Sequence, residues 1–410
     1  MPSAPADRHP LRWIVAGAAV VALATTAWLA LRPDAYVAAP LAPQSTRARP
    51  DLAAATLLRL QQAITAGDAA AASGLGTDAA SSLLGAAATN AAALDVTDFS
   101  LRYVDEATPV DGDGNWQAVV EAGWRFGAYD ASTVHEEITV GFRLLDDAVS
   151  VASLGGGGRR TPLWLTGPLQ VRSAPGVLVL ASTQTAADRY ERLATRAVGV
   201  VSKVVTGWAG PLVVEVPASE SALDEAVAAE PGDNTGVAAV TATVDGSSSP
   251  EAPIHVFVNP DVMDGLDRQA AQIVMSHEAT HAATNAPTNA SRPLWLTEGF
   301  ADYVALRDVG LPLTRTAGQI LAEVRRDGPP DALPDQADFD PASDTFGAVY
   351  EAAWLVCVVL AEQGGEPALV ALYDRVGAGE GLDAALGDLF GLDTASLTRL
   401  WRQHLSDWAE

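Results

Sequence analysis

Two histidines four residues apart with a glutamate between them, His277-Glu278-Ala279-Thr280-His281, carry the strongest chemical signal in a chain of 410 residues that has only six histidines. On a helix, positions i and i+4 lie one turn apart on one face. Both imidazoles then reach one metal ion at about 2.0–2.1 Å. Glu278 projects about 100° away from His277, toward a water held by that ion. A carboxylate in that place is a base for the water and not a ligand. The plain alternative is an ordinary helix that carries two histidines on its surface.

A second segment, "LWLTEGFADY", adds the missing parts. Glu298 supplies a third ligand and leaves a fourth position open for water. Asp302, one turn further on the same face, accepts a hydrogen bond from the outer nitrogen of a ligand histidine, His277 in this reading, and fixes its tautomer. Trp295, Leu296, Phe300 and Tyr303 surround the two acids, so the helix is largely buried, and buried carboxylates need partners. The single cysteine, Cys357, excludes both a thiolate cluster and an intramolecular disulfide. It reads as a small core residue. The expected cofactor is Zn2+, held by His277, His281 and Glu298, with Glu278 as general base.

"HEATH" followed by "LWLTEGFADY" resembles the gluzincin metallopeptidases, which include the aminopeptidase N-like and thermolysin-like enzymes, and "WLTEGFA" in particular looks like the aminopeptidase N group. The resemblance covers about 175–410 and implies peptide-bond hydrolysis by a zinc-activated water. "FGAVYEAAWLVCVVLAEQGG" is similar to the family's helix that begins with a tyrosine. The resemblance thereby assigns the Tyr350 hydroxyl to the oxyanion, against the plainer reading of a core tyrosine. The family's G-x-M-x-N segment, which holds a substrate's free amine in the aminopeptidases, has no counterpart in "TGVAAVTAT". Endopeptidase and exopeptidase activity both stay open, and an edge strand there can pair with substrate backbone. The reading from another class is a non-catalytic binding or assembly protein that keeps a peptidase-like fold.

The elements that must position these residues follow from pattern. The class is α+β, with strands first and helices after. Strands are expected at 97–106, 115–126, 132–144 and 147–154, after a helix that opens at Asp51 as N-cap. "DGDGN" at 111–115 is a turn, since it lacks the spaced ligands of a calcium loop. Helix followed by hairpin-linked strands resembles the SnoaL-like cone, which defines a domain at 51–165. The metallopeptidase domain spans 170–410, with strands at 176–182, near 212–219, 235–244 and 253–260. Its helices are expected at about 185–206, 266–284, 294–308, 313–326, 343–364, 367–377, 380–390 and 394–408. His255 reads as structural; His9, His135 and His404 show no partner.

Residues 1–35 are expected to be a cytoplasmic tip and transmembrane anchor. The uncharged run Trp13 to Leu31 would span about 28 Å as a helix, close to the hydrocarbon thickness. Arg8 and Arg12 precede it, so the positive-inside rule puts the body outside the cell. A cleaved signal peptide ending near Ala39 is the rival reading. Residues 36–50, rich in proline, form a linker. The net charge of −26 argues against nucleic-acid binding. The expected partners are a peptide or protein substrate and the membrane.

Overall fold

The computed structural model describes residues 47–340 and 343–410. The apolar run at 13–31 lies outside the described residues, and Ala48–Glu410 forms one compact unit. The architecture is α+β, with two sheets and a helical half.

Helix α1 (Pro50–Thr65) starts two residues earlier than expected, with Arg49 and not Asp51 in the N-cap position. Pro50 occupies the first helical position, where its preset φ suits the helix. Asp51 therefore does not cap; it lies in the first turn and pairs with Arg49 at 3.0 Å. Short α2 (Ala69–Ser73) and α3 (Ser81–Ala93) follow. Then β1 (Val96–Glu106), β2 (Asn115–Phe126), β3 (Val134–Leu145) and β4 (Ala148–Leu154) form an antiparallel meander in chain order. In the β1–β2 turn, Asp111 Oδ1 accepts the N–H groups of Asp113 and Asn115, so the acid closes the turn on itself. The helices and the sheet enclose a core packed with Trp116, Trp124, Phe126, Phe142 and Trp164.

The second sheet combines β5 (Gln170–Ala174), β6 (Val177–Ala181), β7 (Leu212–Val216), β8 (Ala239–Thr243) and β9 (Ile254–Val258) in the order β5-β6-β7-β9-β8. β6, β7 and β9 run parallel, while β5 and β8 are antiparallel edges. Every residue of β6 and β7 is buried, because both faces of the sheet are covered. Val177, Val179 and Ala181 face the helical core; Leu178 and Leu180 join the core of the first sheet. The second sheet is thus a wall shared by two hydrophobic cores. Helices α4 (Gln184–Val201) and α5 (Glu220–Val227) connect its strands.

The rest of the chain is helical: α6 (Pro260–Met263), α7 (Arg268–Ala283), α8 (Leu294–Leu306), α9 (Leu313–Thr316), α10 (Gly318–Asp327), α11 (Phe346–Gly364), α12 (Glu366–Gly377), α13 (Leu382–Phe390) and α14 (Thr394–Ala409). The single helix expected over 313–326 is divided at Ala317, whose backbone leaves helical geometry at φ −133°. α11 is long and apolar enough to cross a membrane, but it is a core helix here, with Trp354, Leu355, Val356 and Cys357 all buried.

Candidate metal centre

α7 starts at Asp267, whose carboxylate accepts the N–H groups of Gln269 and Ala270 at 2.8 and 2.9 Å. This satisfies two of the donors that a helix start leaves unpaired. The helix then buries Ala271, Met275 and Ala279 in the core, where it packs on α4. His277, Glu278 and His281 line a cleft of about 640 Å³ on its other side.

α8 brings the second half of the site. A Cβ on Gly299 would collide with the carbonyl of Ala353 and lie 3.1 Å from Cys357 Sγ. Only glycine lets α8 approach α11 so closely, and that approach sets Glu298, the preceding residue, beside the two histidines. His277 Nδ1 donates to Asp302 Oδ1 at 2.7 Å. In the neutral ring its Nε2 then carries a lone pair. That atom lies 3.2 Å from Glu298 Oε2 and 2.9 Å from His281 Nε2, and His281 Nε2 lies 3.3 Å from Glu298 Oε2.

Three atoms suited to accepting converge there, and a cation relieves the conflict. Donors bonded tetrahedrally at 2.0–2.1 Å stand about 3.3 Å apart, close to the three observed separations. The cluster of His277, His281 and Glu298 therefore fits a small divalent ion.

The electrostatics agree. Burial disfavours a charged His277 ring, yet Asp302 and then Glu298 and Glu278 outweigh it and hold its pKa well above the ordinary value, so the site draws a cation to Nε2, either a proton or, in its place, a metal ion. Burial also opposes the Glu298 carboxylate, but His281 and His277 hold its pKa far below the usual range. The carboxylates around the site favour positive charge at its centre.

Tyr350, in the second turn of α11, faces the same cleft. Its ring is wedged by Phe339 and Phe346, at centroid distances of 5.3 and 4.9 Å, and lies 6.2 Å from the ring of His277. Burial, and then the charges of Glu298, Glu278 and Asp302, push its pKa up. The hydroxyl keeps its proton and remains a donor. All six residues singled out from the sequence, His277, Glu278, His281, Glu298, Asp302 and Tyr350, thus line one cleft. No model of a known protein family matches this chain, and no curated protein matches it significantly.

Two more features shape the cleft, and the first was not visible in the sequence. Thr241 of β8 donates from Oγ1 to Glu278 Oε2 at 2.6 Å. β8 itself presents a free edge. Asn259 N–H bonds Ala238 O and Val244 N–H bonds Pro253 O, which marks the even-numbered residues as those bonded to β9. Ala239 and Thr241 accordingly turn their backbone N–H and C=O groups away from β9. The remaining walls are mostly apolar, with Val237, Val240, Ile273, Val274, Leu294 and Phe346.

The other histidines divide. His255 is buried between Asp130 and Glu215. His404, expected to lack a partner, packs on Trp408 at a centroid distance of 5.1 Å, with Glu362 3.9 Å away.

Proposed function

We propose that this protein is a zinc-dependent peptidase of gluzincin type. One observation carries the reading. Three acceptor atoms converge on one point at a cleft wall, beside an acid that is not among them. A zinc ion held by His277, His281 and Glu298 would supply acidification of a water to a pKa near ~7 and polarisation of the scissile carbonyl. The chain's own groups do the rest. Glu278 takes the proton from the attacking water and passes it to the leaving amine. The Tyr350 hydroxyl donates to the oxygen on which negative charge develops. Asp302 holds the tautomer of His277. The outward backbone groups of Ala239 and Thr241 suit an extended peptide that adds a strand to β8.

The first sheet belongs to the same proposal as a SnoaL-like support. Its interior is filled by aromatic side chains, and its core continues onto the second sheet. The uncharged run at 13–31, with Arg8 and Arg12 before it, supports a single-pass anchor with the body outside the cell.

Removal of metal with a chelator should abolish cleavage of a mixed peptide pool. Added zinc should restore it at about one ion per chain. Zinc binding with no cleavage of any pool member would leave a non-catalytic binding module instead.

A further inference from the structure

Given the peptidase reading above, we propose that Thr241 is a positioning residue that aims the general base. The terminal torsion of a glutamate is broad and two-fold, so a carboxylate facing an open cleft needs something to fix its plane. Glu278 has one such contact. Thr241 Oγ1 donates to Oε2 at 2.6 Å, and no hydrogen bond within the described residues reaches Oε1. One oxygen is tethered and the other is left to take a proton.

The tether is rigid at its own end. Thr241 pairs with Val256 across the β8–β9 ladder, and its β-branched side chain has restricted χ1 freedom. Parity puts it on the same face of the sheet as Ala239 and Val256, both of which belong to the core around α7. The strand also presents its backbone edge to the cleft. One residue therefore links the expected substrate platform to the base. A small displacement of β8 would rotate the carboxylate of Glu278.

The same hydroxyl lies 3.1 Å from the carbonyl oxygen of Glu278. A purely structural hydroxyl would use that contact to tie strand to helix. The two roles separate in kinetics.

Thr241→Val keeps shape and β-branching and removes only the donor, whereas Thr241→Ser keeps the donor. The experiment measures kcat, KM, zinc content and melting temperature for the zinc-loaded wild type and both variants on one peptide that the wild type cleaves. Thr241→Val should lose about 10- to 100-fold in kcat with KM and zinc content unchanged, because an ill-aimed base loses geometry and not binding. Thr241→Ser should return to within about threefold of the wild type. Wild-type kcat in the Val variant would overturn the proposal. So would a Ser variant as slow as Val, or a kcat loss that tracks loss of zinc or of folded protein. A wild type that binds zinc and cleaves nothing refutes the peptidase reading itself, which is a different outcome.

Discussion

His255 and His277 each sit between two carboxylates, and their surroundings differ in how the second ring nitrogen is used. His255 donates from Nδ1 to Glu215 at 2.6 Å and from Nε2 to Asp130 at 3.0 Å, with all three side chains at most 4% exposed. Each nitrogen has its own acceptor, so the charged ring is fully satisfied and no lone pair is left for an ion. His277 spends only Nδ1 on Asp302. Its Nε2 meets Glu298 and a second histidine at the wall of a cleft, with side chains 11–18% exposed. A histidine with two acids is a structural ion pair when sealed and doubly bonded, and a candidate ligand when one nitrogen is left to converge with other acceptors. Residue type does not separate the two cases; the second imidazole nitrogen, 2.9 Å from His277 Nε2, does.

The comparison breaks most visibly at the cleft. Glu278→Gln should lower hydrolysis by about 1000-fold or more, since general acid–base catalysis contributes about 10²–10⁴ and an amide cannot take the proton. Zinc content should stay near ~1 per chain because Glu278 is not in the donor triangle. Zinc analysis of the purified variant checks this, and zinc loss there would mean that Glu278 is a ligand. Tyr350→Phe comes next. Loss of one oxyanion donor typically lowers turnover by about 100- to 1000-fold. An unchanged rate with a lowered melting temperature would return Tyr350 to the core.

Asp302→Asn sharpens the comparison from the ligand side. An amide can still bond His277 Nδ1, but it withdraws the negative charge that strengthens the ligand. Removing such partners typically reduces metal affinity or activity about 10- to 100-fold. Zinc competition with a fluorescent chelator measures the change directly, and an unchanged affinity would show that Asp302 only orients the ring.

Much of this arrangement was legible because it is local. The spacing of His277 and His281, and of Glu298 and Asp302, is a helical spacing, and the apolar residues around each pair announce the helices that carry them. The four strands at 96–154 alternate clearly enough to be marked within two residues of their ends. What escaped is either featureless or non-local. α3 is almost all Ala, Ser and Leu, with no polar face to set a period. β5 is a short, half-exposed edge strand. The contacts of Thr241 with Glu278 and of His255 with Glu215 and Asp130 join residues 37, 40 and 125 positions apart. Only the register of β8 and the packing of the first sheet on the second bring them together. The separation into domains at 51–165 and 170–410 shows the same limit: the pattern marks two sheets, but not that β6 and β7 lend their second face to the first core.

The smallest effect on hydrolysis belongs to the sealed cluster, and there the readout is stability against pH. Burial works against a charged His255, but Asp130 and then Glu215 overcome it and raise the ring's pKa from 6.5 to about 9. A group whose folded pKa lies above its unfolded value stabilises fully below the unfolded one. That contribution is lost as pH rises through the folded one. The window therefore runs from about pH 6.5 to about pH 9, and the amount at stake is about 3 kcal/mol. His255→Gln should lose stability at the low end of that window by a similar amount, because the two buried acids lose their charged partner. At the high end the variant and the wild type should converge. Glu136 also titrates, its pKa lifted to about 7 chiefly by burial, but it does so in both proteins and cancels in the difference. Urea midpoints measured at each end of the window give that difference directly. Rates per folded molecule should match throughout, since His255 does not line the cleft. A gap between the two proteins that stays constant from the low end to the high end would mean that His255 is buried neutral. Its bonds to Asp130 and Glu215 would then be ordinary hydrogen bonds and not the charged counterpart of the site on α7.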